Sequence, residues 1–293
     1  MRRHELVSPS CCLSGLVLLL LLALSARAQR QAQTDPSEVA ALNAIFSRWG
    51  LRASTAWNIS GEPCSGAAID DTTDIDNDPN FNPAIKCDCS YNASTICHIT
   101  RLKVYRLDVV GQIPAELQNL TYLTNLNLAQ NYLTGSLPTF LEKLTQLQYL
   151  HLGTNALTGV LPRELGNLEN LISLWASDND FTGKIPDYIG NLSNLTDLRI
   201  GDLTGEVSSL AFVANMTLLK TLVLRNSRIS DNLASADFSK FVNLNYLDLS
   251  FNSITGKVSP TLLNLNTLNL LDLSYNMLSG RYPSWVNMNN LHV

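Results

Sequence analysis

The sequence predicts an α/β solenoid, in which a short strand and its return segment are stacked copy upon copy. An L-x-L element recurs every 24 or 25 residues, and asparagine, glycine and proline follow it at fixed offsets. One amphipathic segment and four cysteines precede the copies. A period of this length indicates a solenoid, because a single copy cannot bury its own apolar side whereas stacked copies form one continuous core.

The copies are counted by the first apolar residue of each L-x-L element. Alternating apolar and polar residues predict a short strand with one buried face. The sequence therefore predicts eight strands, one per copy. They begin around Leu102, Leu126, Leu150, Leu174, Leu198, Leu222, Leu247 and Leu271.

Three further positions recur within the copies. An asparagine whose amide can bond backbone groups as the chain leaves the strand recurs at Asn131, Asn155, Asn179, Asn252 and Asn276. A glycine that allows turn conformations recurs at Gly111, Gly135, Gly159, Gly183, Gly256 and Gly280. An apolar residue and a proline, which fixes an extended return path, recur at Ile113-Pro114, Leu137-Pro138, Leu161-Pro162, Ile185-Pro186 and Tyr282-Pro283.

The combined pattern L-x-x-L-x-L-x-x-N-x-L-T-G-x-I-P resembles the plant-type leucine-rich repeat over residues 102–293. This resemblance implies a curved right-handed superhelix, with parallel strands on the concave face and irregular or helical segments on the convex side. The stretch CHITRLKVYRLDVVGQIPAELQNLTYLTNLNLAQNYLTGSLP is similar to plant receptor-like Ser/Thr kinases whose ectodomain joins such repeats to a malectin-like domain. In that family a transmembrane helix and a cytoplasmic kinase follow.

The N-terminus predicts a secretory signal peptide over residues 1–28. Arg2 and Arg3 precede an apolar run over residues 11–24, and Ala26-Arg27-Ala28 is a small-x-small cleavage site. The run is too short for an ordinary transmembrane helix, although a signal anchor is the alternative. We expect a secreted chain, or one on the outer face of the plasma membrane if it is part of a full-length receptor.

Residues 29–101 are predicted to cap the first copy. In TDPSEVAALNAIFSRWGL, Asp35 can cap a helix and Pro36 suits its first position. Apolar residues at helical spacing follow from Val39 to Trp49, and Gly50 ends the segment. A solenoid exposes an apolar end that such a cap covers.

Four cysteines remain after signal removal: Cys64, Cys87, Cys89 and Cys97. An even number in an exported chain predicts two disulfides. Cys87 and Cys89 are too close to pair easily, so each is expected to bond to Cys64 or Cys97. A zinc site is the alternative, which the spacing and an oxidising compartment disfavour.

Enzymatic chemistry has no support in the sequence. We find no Gly-rich phosphate loop, H-R-D, D-F-G or G-x-S-x-G motif, and the four histidines are scattered. The formal charge of −5 does not favour nucleic acid. The acidic stretch DDTTDIDNDPN lacks the glycine and twelfth-position acid of a calcium loop, so we interpret it as a solvated loop. We therefore expect no catalysis, cofactor or metal.

Outward positions beside the strand leucines are the candidate ligand-binding residues. Aromatic and charged side chains on a concave strip suit an extracellular peptide, glycan or protein ligand, with a co-receptor ectodomain as a further partner. For any one residue the alternative is an ordinary solvated strand position, and Trp175 is the strongest candidate. The candidates are Arg101, Lys103, Tyr105, Tyr149, His151, Trp175, Asp178, Arg199, Arg225, Tyr246, Asp248, Phe251 and Tyr275.

The pattern is irregular over residues 201–244, where T-G comes early and the copy from Leu222 lacks G-x-I-P. We interpret this as drift or a lost repeat rather than a surface reshaped for a partner. Glycosylation sequons N-x-[ST] are present, and three of them share one position away from the strand. They are Asn58, Asn92, Asn119, Asn191, Asn194 and Asn215.

The last residues, NMNNLHV, resemble the opening of a ninth copy, and nothing in the sequence closes the eighth. We therefore expect the chain to be truncated before the malectin, transmembrane and kinase regions of a receptor. The expected function is extracellular recognition in cell-surface signalling. The alternative is a stand-alone secreted leucine-rich-repeat protein that acts as an enzyme inhibitor or decoy receptor.

Overall fold

A computed structural model describes residues 32–54 and 61–281. The predicted signal peptide, Asn58 and the Tyr282-Pro283 pair lie outside these residues. Numbered along the chain, the strands are β1 (Gln33–Thr34), β2 (Ala84–Ser90), β3 (Ile96–Lys103), β4 (Val110–Gly111), β5 (Asn125–Asn127), β6 (Tyr132–Ser136), β7 (Tyr149–His151), β8 (Ala156–Gly159), β9 (Ser173–Trp175), β10 (Asp180–Phe181), β11 (Asp197–Arg199), β12 (Thr221–Val223), β13 (Tyr246–Asp248), β14 (Thr255–Gly256), β15 (Leu270–Asp272) and β16 (Met277–Leu278).

One long sheet contains all eight predicted L-x-L strands. Its order is β1-β3-β5-β7-β9-β11-β12-β13-β15, every pair along this path is parallel, and β2 pairs with β3 in the antiparallel sense. The register places each strand leucine beside that of the next copy, as Leu126 beside Leu150. Both are at most 1% exposed. The repeat therefore builds the core as predicted, as one column of leucines under a parallel sheet.

The recurring asparagines form the predicted ladder of hydrogen bonds. The amide nitrogen of Asn131 donates to the carbonyls of Val104 and Leu128, while its oxygen accepts from the backbone N–H of Leu107 at 3.0 Å. Asn155, Asn179, Asn252 and Asn276 likewise bond the backbone of two copies. Each side chain thus satisfies buried backbone groups that would otherwise be costly.

A second, shorter sheet follows the asparagine turns. Strands β10, β8, β6 and β4 pair in that order, and β14 pairs with β16. Between these two groups only isolated bridges, such as Thr182 with Thr204, are present among the described residues. The irregular stretch 201–244 thus coincides with the interruption of this sheet.

Short helices fill the return segments on the side opposite the long sheet. In the first four copies each starts directly after the predicted proline, whose fixed φ suits an extended entry into the turn. The 3₁₀ helices of the copies are Ala115–Asn119, Thr139–Lys143, Arg163–Asn167, Asp187–Asn191, Leu210–Asn215, Leu233–Ser235 and Phe238–Lys240, with Gly66–Ala68 in the cap. The α-helices are α1 (Pro36–Arg48) and α2 (Pro260–Leu263), and Tyr91–Ser94 forms one turn of left-handed backbone.

The cap starts with the predicted helix. The Asp35 carboxylate accepts the N–H of Ser37 at 2.8 Å, which satisfies one orphan donor of α1. Gly50, with φ +63°, lies just after its end. Leu42, Ile45 and Phe46 are buried against the first copy. Disulfides join Cys64 to Cys87 and Cys89 to Cys97, one of the two pairings that the sequence left open.

A buried polar contact ties α1 to β3. One Glu38 oxygen accepts the N–H of Ile99 at 2.6 Å, and the other lies 2.7 Å from Nδ1 of His98. Burial raises the pKa of Glu38, although these contacts oppose the shift. The His98 ring stacks on Tyr122, with centroids 3.6 Å apart. The cap and the first two copies therefore share one packed unit.

Candidate functional site

The middle of the long sheet carries a group of side chains that we call the concave cluster: Tyr149, His151, Trp175, Asp197 and Arg199. Strands β7, β9 and β11 lie side by side, and the register aligns His151, Trp175 and Arg199 in one row. Because alternate residues of a strand share a face, these side chains all leave the face opposite to the leucine core.

Trp175 lies flat against its neighbouring copy. Its indole Nε1 donates to Oγ of Ser177 at 2.7 Å. A Cβ added at Gly153 would come within 2.3 Å of that same nitrogen, so the glycine leaves the space that the ring occupies. The indole is half-buried, which leaves part of a large, immobilised aromatic surface accessible from the concave side.

Arg199 extends the cluster with a fixed positive charge. Its Nε and Nη2 donate to the two carboxylate oxygens of Asp197 at 2.9 and 3.0 Å. This hydrogen bond raises the pKa of the Arg199 guanidinium, against the opposing effect of burial. The guanidinium carbon also lies 5.5 Å from the centroid of Trp175, within cation–π range. The group is thus oriented before any ligand arrives.

His151 completes the row as a neutral polar ring. Its Nε2 lies 3.0 Å from Oγ of Ser173, and its ring meets Trp175 edge-on at 6.0 Å. Burial lowers the pKa of His151. At neutral pH the imidazole is therefore a hydrogen-bonding surface rather than a charge.

A polar cavity adjoins the cluster at the N-terminal end of the concave face. Its volume is about 430 Å³. The acidic loop of residues 70–80 forms one wall, where Asp76 pairs with Nη1 of Arg101 at 2.9 Å. The lining residues are Asp76, Asn77, Arg101, Asn125, Leu126, Asn127, Tyr149 and His151. The concave face is therefore a shaped surface and not a flat sheet at this end.

The acidic loop differs from the solvated loop that we expected. Ile75 is 1% exposed, and the ammonium of Lys103 donates to the carbonyls of Ile75, Asp76 and Asp78. The aspartates themselves remain on the solvent side, and the carboxylates of Asp70, Asp74 and Asp78 cap turns within the loop. The loop is thus anchored over the first strand of the sheet.

Two predicted ligand-binding residues are not accessible. Lys103 is 4% exposed because the acidic loop covers it, and burial lowers its pKa. Asp248 is 7% exposed, and its carboxylate accepts from the N–H and Oγ of Ser250. The prediction that these two side chains face a ligand is corrected: one anchors a loop and the other a turn.

Three further predicted residues form a second group near the last copies. The Arg225 guanidinium lies 4.2 Å from the ring of Phe251, which stacks on Tyr275 with centroids 4.2 Å apart. Tyr246 is half-buried on β13, and Asp178 is exposed in a left-handed turn. Tyr105 is held through its backbone by the amide of Asn82. The structure thus divides the candidates into two groups and several isolated residues.

Sequence reasoning missed Asn77, Asn125, Asn127 and Gly153. Asn125 and Asn127 flank Leu126 as Tyr149 and His151 flank Leu150, so the same rule would have included them. Gly153 had a weaker signal, since a small residue there matters only because the next copy carries a tryptophan. Asn77 gave no local signal, because its place depends on how the cap loop folds back.

The sequons in the described residues have exposed asparagines. Asn119, Asn191 and Asn215 each end a 3₁₀ helix, at Ala115–Asn119, Asp187–Asn191 and Leu210–Asn215. Asn92 and Asn194 are exposed as well. Glycans on the first three would project from the return side, so glycosylation there stays a prediction that leaves the concave face open.

Residues 32–54 and 61–281 include no group of three His, Cys, Asp or Glu side chains placed to hold a metal ion. Over the same ranges, none of the helices has the length and apolar character needed to cross a bilayer.

Comparison with protein families agrees with the repeat geometry. A model described as "Leucine-rich repeat region" matches residues 83–209, and one described as "Leucine Rich Repeat" matches residues 243–265. The chain contains leucine-rich repeats. The stretch between the two matches falls largely within the irregular copies, where the second sheet is interrupted.

The repeats are homologous to plant receptor-like kinases. A protein of Arabidopsis thaliana described as "Probable LRR receptor-like serine/threonine-protein kinase" is 53% identical over 112 residues, which are 38% of this chain. The match spans 10% of the length of that relative. This chain therefore corresponds to a small part of that relative.

Solved structures similar to this chain include plant leucine-rich-repeat ectodomains. The Arabidopsis HAESA ectodomain in complex with the IDA peptide hormone is 29% identical, with a TM-score of 0.60, over 63% of this chain and 31% of that one. The Arabidopsis GASSHO1/SCHENGEN3 ectodomain in complex with CASPARIAN STRIP INTEGRITY FACTOR 2 is 27% identical, with a TM-score of 0.57, over 71% of this chain and 30% of that one. The predicted plant-type solenoid is confirmed.

Proposed function

We propose that this chain is the ligand-recognition part of the ectodomain of a plant receptor-like kinase. The observation that carries the proposal is the concave cluster, in which Trp175, Arg199 and His151 are held in one row by contacts within the sheet. Side chains that are fixed in advance lose little conformational freedom on binding, so they suit recognition.

An extended peptide or a protein segment is the ligand class that this surface suits best. Tryptophan, tyrosine and arginine are the side chains that most often dominate binding energy at interfaces. The solved relatives HAESA and GASSHO1/SCHENGEN3 were crystallised with a peptide hormone and with CASPARIAN STRIP INTEGRITY FACTOR 2, which supports a peptide here. Arg101 extends the surface on the N-terminal side, and Arg225, Phe251 and Tyr275 extend it on the C-terminal side. A co-receptor ectodomain is the further partner in this proposal.

The same proposal places the chain outside the cell and leaves catalysis to another part of the receptor. The resemblance of residues 97–138 to the malectin-containing type favours that type, in which a membrane helix and a Ser/Thr kinase follow the ectodomain. The 53% identity over 112 residues to a receptor-like kinase of Arabidopsis supports a receptor. In this account residues 29–101 are the cap and residues 102–293 the repeat array, and signalling begins when a ligand occupies the concave face.

The size and location of the native protein test the receptor proposal. An antibody raised against residues 61–101, which form the disulfide-bonded part of the cap, is used on membrane and soluble fractions of tissue that expresses the gene. We expect one large glycosylated band in the membrane fraction. The protein immunoprecipitated from that fraction should phosphorylate serine or threonine in a kinase assay. A small band in the soluble fraction alone would reject the receptor and favour the inhibitor or decoy role.

A further inference from the structure

The fifth and sixth copies, which begin at Leu198 and Leu222, enclose a pocket on the side of the 3₁₀ helices. Its volume is about 220 Å³. Leu210, Val213 and Phe241 are buried at its base. The full lining is Ser209, Leu210, Ala211, Val213, Ala214, Asp231, Asn232, Ala236, Asp237, Lys240 and Phe241. It lies away from the concave cluster, so nothing in ligand recognition on that face explains it.

The pocket results from the irregular return segment of the sixth copy. In the regular copies the helices touch, as where a Cβ on Gly166 would lie 3.2 Å from the ring of Tyr188. The sixth copy lacks the apolar-proline pair and makes two short helices, Leu233–Ser235 and Phe238–Lys240. Three of the lining residues that face this gap are alanines, which are too small to fill it.

The dimensions and lining of the pocket limit what it can hold. An apolar cavity of roughly 150 Å³ can hold benzene, so this pocket can take one six-membered aromatic ring with a short chain. Its base is aliphatic and aromatic, and moving an apolar body there from water is favourable. The polar side chains of the lining are exposed or half-buried, whereas its apolar base is buried, so an apolar ligand with a polar group at one end fits the pocket.

The charges at the mouth select the sign of that polar group. One carboxylate oxygen of Asp231 accepts the N–H of Leu210, and one of Asp237 accepts from the N–H and Oγ of Ser239. The second oxygen of each has no hydrogen-bond partner among the described residues. Hydrogen bonding to Ser239 lowers the pKa of Asp237, so it is ionised at neutral pH. Against these two carboxylates stands one ammonium, that of Lys240, so the mouth favours a cation.

We propose that this pocket binds a small primary amine with an apolar body, of the size of an arylethylamine. The ring would pack on Leu210, Val213 and Phe241, and the ammonium would take up the second oxygens of Asp231 and Asp237. The geometry makes the irregular copies a second binding site that operates independently of the concave face.

Three probes with one apolar body and different head groups test the proposal. Binding of 2-phenylethylamine, 2-phenylethanol and phenylacetate to the purified chain is measured by ligand-observed NMR and calorimetry. We expect the amine to bind with a Kd of about 1 mM or tighter, the alcohol more weakly and the carboxylate weakest. A carboxylate that binds as tightly as the amine, or the absence of saturable amine binding, would overturn the assignment.

Variants locate the binding. Ala236→Leu and Ala214→Leu each fill the pocket from a different wall, and we expect either to abolish amine binding. Asp237→Asn keeps the cap to Ser239 but removes the charge, and should weaken the amine ~2- to 5-fold without affecting the alcohol. Ala234→Leu, on the neighbouring helix and outside the lining, is the matched control and should bind as wild type. Unchanged amine affinity in a folded pocket-filling variant would refute the site.

Discussion

The indole of Trp175 occupies the space that a side chain at Gly153 would need, since a Cβ there would lie 2.3 Å from Nε1. We expect Gly153→Ala to rotate the indole out of its hydrogen bond with Ser177. Because the atoms in conflict belong to a side chain, the fold should persist while the concave cluster loses its order. Tryptophan fluorescence of the variant should shift to the red and become more accessible to quenchers.

A double-mutant cycle isolates this relationship. Gly153→Ala is introduced into wild type and into Trp175→Ala, and thermal stability is measured for all four proteins. We expect the destabilisation caused by Gly153→Ala to disappear when Trp175 is absent. An equal loss in both backgrounds would mean that the glycine serves the backbone and not the indole.

The asparagine ladder predicts a large cost for an interior member. Asn179 bonds the carbonyls of Leu152 and Ala176 and the N–H of Leu157. Asn179→Ala leaves these buried groups unsatisfied, so we expect a loss of about 2–4 kcal/mol. Urea unfolding followed by circular dichroism measures it. The matched control is Asn170→Ala, an exposed asparagine that donates to Thr145 alone, for which a loss under about 0.5 kcal/mol is expected.

The two disulfides should differ in what they contribute. Cys64–Cys87 closes 23 residues and Cys89–Cys97 closes 8. The loop-entropy relation then predicts about 3.4 and 2.5 kcal/mol respectively. We expect Cys64→Ser/Cys87→Ser to lower the melting temperature more than Cys89→Ser/Cys97→Ser. The reverse order would mean that the stabilisation by each disulfide depends on the hairpin between β2 and β3 and not on chain entropy.

The acidic loop predicts a specific pH dependence. Hydrogen bonds from Thr73 and then Thr72 lower the pKa of Asp70 to about 2, from an ordinary value of 3.8. A carboxyl whose pKa is lower in the folded state stabilises the fold above its unfolded pKa and loses that effect as the pH falls through the folded value. Wild type should therefore melt above Asp70→Asn at pH 7, and this difference should vanish between about pH 4 and 2.

The exposed neighbour Asp71 provides the control for this pH series. Melting temperatures of wild type, Asp70→Asn and Asp71→Asn are compared at each pH. A gap between wild type and Asp70→Asn that stays constant down to pH 2 would show that the carboxylate is not the group that the threonines hold.

Sequence predicted the parts of this fold that repeat, for a physical reason. The position of Leu150 or Asn155 within the solenoid depends on its own copy and on the neighbouring copies. The repeat period in the sequence identifies both. The burial of the Lys103 and Asp248 side chains could not be predicted from the period. Lys103 is covered by a loop 25 to 28 residues away, and Asp248 turns its carboxylate into its own backbone.

Tyr149, His151, Trp175 and Arg199 of the concave cluster were predicted as candidates, but their arrangement was not. The outward positions on β7, β9 and β11 follow from the alternation of side chains along a strand. The ion pair of Arg199 with Asp197 and the packing of the Trp175 indole against Gly153 depend on side-chain rotamers, which the alternation does not predict. The pocket at Ala236 was not predicted, because it lies in the irregular copies. Irregular copies give no periodic signal, and the sequence favoured drift where the structure has a cavity.

Binding of peptides to two concave-face variants and one control variant tests the central proposal most directly. Peptides are selected from a displayed random library on wild-type protein, and their affinities are measured for Arg199→Ala, Trp175→Ala and Arg163→Ala. Arg163, with a side chain 88% exposed on a return helix, is the control. We predict at least a ~10-fold loss for the two concave variants and none for Arg163→Ala. Equal affinities for all three folded variants would contradict recognition by the concave face.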